Sequence, residues 1–239
     1  MVVRNSASFV TMINVARLLL LLLVAGPLQG QADSTRRVHR LEVGLGYGQM
    51  EHTLDITPAR DEENLRGANF GLALRYFDHP LVGLQVELNY VQAGWREDLD
   101  EELEDPYERS VDYGEILLLT QLSPGRGAVQ PLLQAGPYLG LPLSDSEFIP
   151  AGFEIPTTLP PSYYDVELPR RLSYGLQAGL GLTVRLGPVR LQAEGRYLIG
   201  FSNVFKTGET VAAISRRQGY GARAGLYYAL FDRSERRGR

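Results

Sequence analysis

The stretch LSYGLQAGLGLTVRL, residues 172–186, carries an apolar side chain at every second position. Small or polar residues stand between the apolar ones, which are Leu172, Tyr174, Leu176, Ala178, Leu180, Leu182, Val184 and Leu186. A period of two is typical of a β-strand, because successive side chains of a strand point to opposite faces of its sheet. The stretch is therefore predicted to be a strand with one apolar face and one face of glycine and polar residues.

The same alternation predicts five further strands, at residues 41–48, 69–76, 82–90, 189–199 and 220–230. Two more are predicted at 113–122 and 129–141, where the alternation is less regular but apolar runs are bounded by turn residues. Tight-turn sequences join three pairs of strands: FDHPL at 77–81, SPGRGA at 123–128 and Gly187-Pro188. The other four connections are long, at about 49–66, 95–111, 142–170 and 200–217. Short and long connections in alternation predict an all-β, eight-stranded, antiparallel up-and-down barrel with short periplasmic turns and long extracellular loops.

The polar face of these strands is predicted to line the inside of the barrel. Glycine is frequent on this face, and a narrow lumen favours small residues: Gly44, Gly46, Gly71, Gly83, Gly175, Gly179, Gly181, Gly221 and Gly225. Charges of both signs share it: Glu42, Glu87, Glu194, Arg75, Arg185, Arg190, Arg196 and Arg223. Tyrosines on the apolar face stand near strand ends, as at a membrane interface: Tyr47, Tyr76, Tyr90, Tyr174, Tyr197, Tyr220 and Tyr228. A transmembrane barrel is favoured over the alternative, a secreted lipocalin-like barrel with its apolar face inside.

The N-terminal segment 1–32 is interpreted as a secretory signal peptide. Arg17 precedes the apolar run 18–25, and small residues follow at Gly30 and Ala32. The run is shorter than the about 20 apolar residues of a spanning helix, which argues against a retained anchor. Met12 makes a more typical start than Met1. The barrel is assigned to residues 33–231 and a polar C-terminal tail to 232–239.

Three motifs resemble the small outer-membrane β-barrel domains typical of Bacteroidota, called PorT-like. They are VGLGYG at 43–48, GEILLLT at 114–120 and, most specifically, PLLQAGPYLG at 131–140. The final strand RAGLYYAL, at 223–230, also resembles the signal read by the outer-membrane barrel-insertion machinery. The resemblance implies a location in the outer membrane and, for some members of the family, a part in a protein secretion system.

The main hypothesis is an integral outer-membrane protein without catalysis, with a structural, surface-interaction or assembly role. A component of a secretion system and a lipid-modifying enzyme are the alternatives. Expected partners are outer-membrane lipids and lipopolysaccharide and the barrel-insertion machinery, with secretion-system proteins as further candidates. Nucleic acid is not expected as a partner, since the net charge is −4. No catalytic, cofactor-binding or metal-binding residue is assigned. The absence of cysteine excludes disulfides and thiolate chemistry.

Four features of the sequence bear on possible sites. His52, with Asp55 nearby, is the histidine placed by location to act in a lipid enzyme, whereas His39 and His79 lie toward the opposite rim. The acidic stretch 97–108 is interpreted as a solvated loop, with calcium binding by Asp98, Asp100 and Glu102 as the alternative. In the third long loop, Phe148, Phe153, Tyr163 and Tyr164 could anchor a partner, and deletion of 146–165 is expected to leave the barrel folded. Arg185, Arg190, Arg196 and Glu194 are expected to form an ion-pair network inside the lumen, and this network, in a barrel of only eight strands, argues against a wide pore.

Overall fold

The computed structural model describes residues 36–57, 62–99, 105–124, 127–168, 171–206, 208 and 210–236. The predicted signal peptide lies outside these residues. Residues Arg37–Glu235 form one compact unit. Within the described ranges there is no helix long and apolar enough to cross a membrane.

The described residues form eight strands in a closed barrel. In chain order they are β1 (Arg36–Thr57), β2 (Glu62–Phe77), β3 (Val82–Glu97), β4 (Tyr107–Leu122), β5 (Val129–Phe148), β6 (Ser173–Leu186), β7 (Val189–Asn203) and β8 (Ile214–Arg236). Each strand lies beside the next one in the chain, and the pairs described in register are antiparallel. The eight-stranded up-and-down barrel predicted from the sequence is confirmed.

The short connections meet at one end of the barrel, as predicted. They span 78–81, 123–128 and 187–188. Gly187 has a φ of 64°, a left-handed conformation that glycine adopts at little cost and that two-residue hairpin loops require. In outer-membrane barrels the short turns lie on the periplasmic side, so this end is here named the periplasmic end and the opposite one the extracellular end.

The outer wall of the barrel is apolar, and the lumen is polar. Leu45, Leu88 and Leu226 point outward and are 60%, 57% and 50% exposed, whereas Glu87 and Arg75 point inward and are fully buried. The seven tyrosines predicted to lie at the membrane interface, from Tyr47 to Tyr228, are here named the girdle. They lie on the outer wall, on the same face as these leucines. The orientation predicted from the sequence, with glycine and charge inside, is correct.

The strands run well beyond the ends that the sequence predicts, because the apolar face changes sides along them. In β1 the apolar residues point outward up to Tyr47, but beyond it Met50, Leu54 and Ile56 point inward and are buried. In β3, Val91, Ala93 and Trp95 are likewise buried inside the barrel beyond Tyr90. The upper part of the barrel, which is the part of each strand beyond these tyrosines, thus has an apolar interior and lies outside the hydrocarbon layer of the membrane.

This extension shortens all four long connections predicted from the sequence. The connection expected at 49–66 lies between Thr57 and Glu62, that at 95–111 between Glu97 and Tyr107, that at 142–170 between Phe148 and Ser173, and that at 200–217 between Asn203 and Ile214. Strand β8 runs to Arg236 and so extends into the segment 232–239, which is expected to be a polar tail. The third extracellular connection, residues 149–172 and here named L3, is the longest.

Candidate functional site

The lower lumen is closed by charged groups around Glu42. Its carboxylate is fully buried and lies 2.7 Å from Arg40 Nε, 3.2 Å from Arg75 Nη1 and 2.7 Å from Arg190 Nη1. Arg190 also donates to Asp232 at 3.0 Å. The Arg75 guanidinium lies 3.6 Å from the ring centre of Tyr227, which is also buried.

The middle of the lumen is organised by Glu87. Arg196 donates to both of its carboxylate oxygens, at 2.8 and 2.6 Å, and Arg223 adds a third hydrogen bond at 2.9 Å. The Nε of Arg196 donates to Glu194 at 2.9 Å, and Gln134 also donates to Glu194. Two carboxylates and two guanidiniums therefore balance one another at a point where an isolated charge would be strongly destabilising.

The upper lumen holds a third ion pair, between Arg217 and Glu115. The Arg217 guanidinium lies 4.4 Å from the ring centre of Tyr113 and 5.2 Å from that of Tyr138. The predicted internal network is thus present and includes Arg190, Arg196 and Glu194. Arg185 does not join it, because its side chain is exposed near the periplasmic end of β6.

Glycines make room for these large side chains. At Gly46 a Cβ atom would clash with the Arg223 guanidinium, and at Gly44 it would clash with the ring of Tyr227. Both glycines lie on β1, so the backbone of this strand can come close to the large side chains of its neighbour β8. At these two positions glycine is thus required by the large side chains of the lumen, whereas at Gly175, Gly181 and Gly221 an added Cβ would clash first with a backbone oxygen of the neighbouring strand.

The extracellular end is closed by an aromatic cluster built on Glu97, here named the cap. Tyr163 donates to both carboxylate oxygens of Glu97, at 2.9 and 2.8 Å, and Tyr164 and Trp95 donate to it at 2.8 and 3.0 Å. The ring of Phe205 stacks on Tyr163 with the ring centres 5.2 Å apart. All of these side chains are buried, so L3 enters the mouth of the barrel instead of lying over it.

A second set of contacts fixes L3 to β4 and β5. Arg109 donates to the Asp145 carboxylate and to the backbone oxygen of Val166, both at 2.7 Å, and lies 3.3 Å from Glu147. Tyr107 donates to Glu147 at 2.6 Å. These contacts involve charged groups on both strands, and they stabilise the closed position of L3.

The partner-anchoring role expected of four aromatic residues, Phe148 at the end of β5 and Phe153, Tyr163 and Tyr164 in L3, is only partly compatible with the structure. Tyr163 and Tyr164 are buried in the cap, and Phe153 packs on Tyr164 with the ring centres 5.1 Å apart. Phe148 alone of the four is largely exposed. A deletion of 146–165 would remove the end of β5 and both cap tyrosines, so a deletion that spares the cap must be confined to about 151–160.

Tyr163 of the cap and Tyr107, which packs against Tyr164, hold their protons tightly. Burial, followed by the charge of Glu97, raises the pKa of Tyr163 far above its ordinary value. Burial and the hydrogen bond to Glu147 raise the pKa of Tyr107 in the same direction. Both groups lie above the membrane-spanning part of the barrel.

The closed cap is therefore expected to weaken in alkali. An exposed tyrosine in the open state ionises near pH 10, whereas the closed state keeps the proton. The stabilisation is complete below about pH 10 and falls by about 1.4 kcal/mol per pH unit above it for each such tyrosine. Trp95 is the only tryptophan of the chain and lies in the cap, so acrylamide quenching of its fluorescence should increase several-fold between pH 9 and pH 11.5.

The Tyr163→Phe variant provides the control for this experiment, because it cannot ionise at that position. It is expected to show a smaller alkaline increase, with an unchanged far-ultraviolet circular dichroism spectrum. Quenching that stays constant up to pH 11.5, or that rises equally in both proteins, would contradict the assigned role of Tyr163.

The catalytic alternative built on His52 does not fit the geometry. His52 lies in β1 instead of a loop, is fully buried in the lumen and is placed beside Gly219, while Asp55 is exposed on the outer wall. His39 is 3.2 Å from Asp78, and His79 accepts a hydrogen bond from the backbone of Leu81, both near the periplasmic end.

The calcium alternative falls largely outside the described residues. Asp98 is described and exposed, whereas Asp100 and Glu102 are not described. Among the described residues there is no group of three carboxylate or imidazole side chains placed to hold a metal ion. Glu97, at the start of the acidic stretch, points inward to the cap.

A closed eight-stranded barrel with an apolar outer wall and an ion-paired lumen is a transmembrane β-barrel of the outer-membrane type. Residues 29–206 match the family model described as outer membrane protein beta-barrel domain, and the chain belongs to this family. It is accordingly an outer-membrane protein.

Several solved structures are similar to the chain. The attachment invasion locus protein Ail of Yersinia pestis aligns over 80% of this chain and 99% of its own, with 13% identity and a TM-score of 0.43. Neisserial surface protein A aligns over 79% and 96%, with 14% identity and a TM-score of 0.44. OprG of Pseudomonas aeruginosa aligns over 82% and 96%, with 13% identity and a TM-score of 0.45. No curated protein sequence matches the chain.

Proposed function

We propose that the protein is a non-enzymatic, non-conducting barrel that presents a rigid surface outside the cell for contact with other molecules. The observation that carries this proposal is the closure of the barrel at two levels. The ion-paired lumen blocks the membrane-spanning part, and the cap blocks the extracellular part. A barrel whose interior is filled in this way is suited to holding its exposed end in a fixed shape.

The strand extensions supply that exposed end. Above the girdle, β1 to β5 continue with polar residues outside, except for Phe148 at the end of β5, and with the cap inside. Arg109 connects L3 to β5 through Val166 and Asp145. Surface contacts made by such a platform would lose little conformational entropy on binding, because the backbone is already fixed by strand pairing.

The non-enzymatic part of the proposal is supported by the position of His52. A general base must reach the proton that it removes, and His52 is enclosed in the lumen while Asp55 faces the other side of the strand. An unchanged lipid A profile in cells that lack the protein is the expected result. A shift in lipid A mass that requires the protein would contradict the proposal.

The purified protein is expected to form no large, steady channels in planar lipid bilayers. Eight-stranded barrels have room only for side chains, whereas open aqueous channels require about 16 strands. A variant that lacks residues 151–160 should behave in the same way, because the lumen network remains in place. Stable conductance by the unmodified protein would overturn the proposal. Conductance by the deletion variant alone would show that L3, and not the ion-paired lumen, prevents the flow of ions.

A second candidate function is a part in a secretion system of PorT-like type, and the motif resemblance supports it. Two of the motifs contribute to the lumen: Glu115 of GEILLLT pairs with Arg217, and Tyr138 of PLLQAGPYLG is buried beside it. Purification of the tagged protein in mild detergent would then recover other components of a secretion machine in fixed ratio. Recovery of the barrel alone would favour the first candidate.

A further inference from the structure

The outer wall of the barrel carries a groove along β7 and β8. Its floor is formed by Ala193 and Gly195 on β7, which lie directly opposite Ala224 and Ala222 on β8. Larger side chains stand on both sides, with Leu180 and Leu182 on β6 and Tyr47 on β1. The recess has a volume of about 1050 Å³.

The extracellular end of this groove is polar and charged. Gln49, Glu51 and Arg66 line the same recess as the alanines, together with Tyr220. Arg66 donates to Gln49, Tyr220 donates to Glu51, and Asn64 donates to the Tyr220 hydroxyl at 3.1 Å. The recess is therefore amphipathic along its length, apolar toward the membrane centre and charged toward the cell surface.

An amphiphile of the outer leaflet matches this distribution. An acyl chain would fill the apolar floor, and its contact with the flanking leucines would replace the loose packing of bulk lipid. A guanidinium is well suited to bind phosphate, whereas a carboxylate beside it repels an anion and accepts hydrogen bonds from hydroxyl groups. A headgroup with both phosphate and hydroxyl groups suits this pair better than a simple anionic phospholipid does.

We propose that the groove binds a phosphorylated glycolipid of the outer leaflet, of the lipid A class. Its phosphate lies at Arg66, a sugar hydroxyl donates to Glu51, and one acyl chain runs over Ala222 and Gly195. The proposal concerns the lipid-facing wall and is independent of the surface role proposed above, which belongs to L3 and the strand extensions.

Titration of the detergent-solubilised full chain with purified lipid A, followed by native mass spectrometry, tests the proposal. The unmodified protein is expected to retain one lipid A molecule after the detergent has been removed. Ala222→Leu, which fills the floor, and Arg66→Gln, which removes the cation, should each weaken retention by about tenfold, the effect of losing one charged hydrogen bond or its equivalent.

Two matched variants provide the controls. Ala135→Leu adds the same bulk to an exposed position of β5 on the outer wall, and Arg216→Gln removes an exposed arginine from β8 outside the groove. Both should retain lipid A as the unmodified protein does. Heat-modifiable migration on a detergent gel establishes that each variant is folded, and Arg66→Gln carries the test if Ala222→Leu does not fold.

Three outcomes would overturn the proposal. Equal retention by groove variants and controls would mean that the lipid binds anywhere on the wall. Retention of phosphatidylglycerol as strong as that of lipid A, with the same loss in both groove variants, would exclude a glycolipid headgroup. Failure of the unmodified protein to retain lipid A would exclude the site, and none of these outcomes bears on conductance or on L3.

Discussion

Replacing Glu87 by alanine is expected to lower the free energy of unfolding by about 3–5 kcal/mol, the range measured when one partner of a buried ion pair is removed. Glu87 is fully buried and accepts three hydrogen bonds from Arg196 and Arg223. Without it, two guanidiniums face each other in the lumen with only Glu194 to balance them. Urea unfolding in detergent micelles, followed by Trp95 fluorescence, gives the measurement.

Glu108→Ala is the matched control, because its ion pair lies on the surface. Arg96 donates to Glu108 at 2.8 Å, but both side chains are more than a third exposed. Such a pair contributes less than about 1 kcal/mol. If Glu87→Ala cost no more than Glu108→Ala, the lumen network would not be a main source of stability, and packing of the tyrosine and arginine side chains would have to replace it.

Replacing Gly175 by valine is expected to prevent formation of the barrel. A Cβ at Gly175 would clash with the backbone oxygen of Ile199 and would lie 2.9 Å from the Cα of Gly200 and 2.8 Å from the ring of Tyr138. Backbone atoms cannot move aside as a side chain can, so β6 and β7 would have to separate. Loss of heat-modifiable migration, with the chain recovered only in the denatured form, is the expected observation.

Gly195→Val should fold, although it also introduces valine into a strand. Gly195 faces the lipid, and the nearest atoms to its added Cβ are 3.9 Å away. Valine also favours strands more than glycine does. A folded Gly175→Val protein, or equal failure of both variants, would show that the close approach of β6 to β7 is not the reason for glycine at this position.

The membrane-spanning part of the fold can be predicted from the sequence because contact with lipid requires a regular alternation of apolar and polar residues there. Every outward residue must be apolar, so a strand such as 172–186 shows unbroken alternation. The upper part follows the opposite rule. In MEHTLDI, residues 50–56, the apolar residues Met50, Leu54 and Ile56 occupy even positions, whereas Leu41 to Tyr47 occupy odd ones. The change of phase resembles the end of a strand, yet it marks the membrane boundary.

The cap could not be predicted from local patterns. Glu97 stands in a run of acidic residues that is typical of a solvated loop, and Tyr163 and Tyr164 stand in a proline-rich loop. Their association depends on L3 folding back into the mouth of the barrel, a contact between residues 66 positions apart. One signal was available: Trp95 alternates with Val91 and Ala93 on the face opposite to Tyr90. This indicates an apolar interior beyond the girdle that other aromatic residues would have to fill.

Because the lumen is ion-paired and the outer wall is apolar, neighbouring strands must pair in one exact register. Sliding β7 by one residue against its neighbours would turn Arg196 and Glu194 into the hydrocarbon and leucine into the lumen. Both changes would raise the free energy of the folded barrel. The first would place charged groups in hydrocarbon without water, and the second would leave Glu87 in the lumen without Arg196. The bilayer and the buried ions thus each favour the same strand register independently, and a barrel with shifted strands would be destabilised by both.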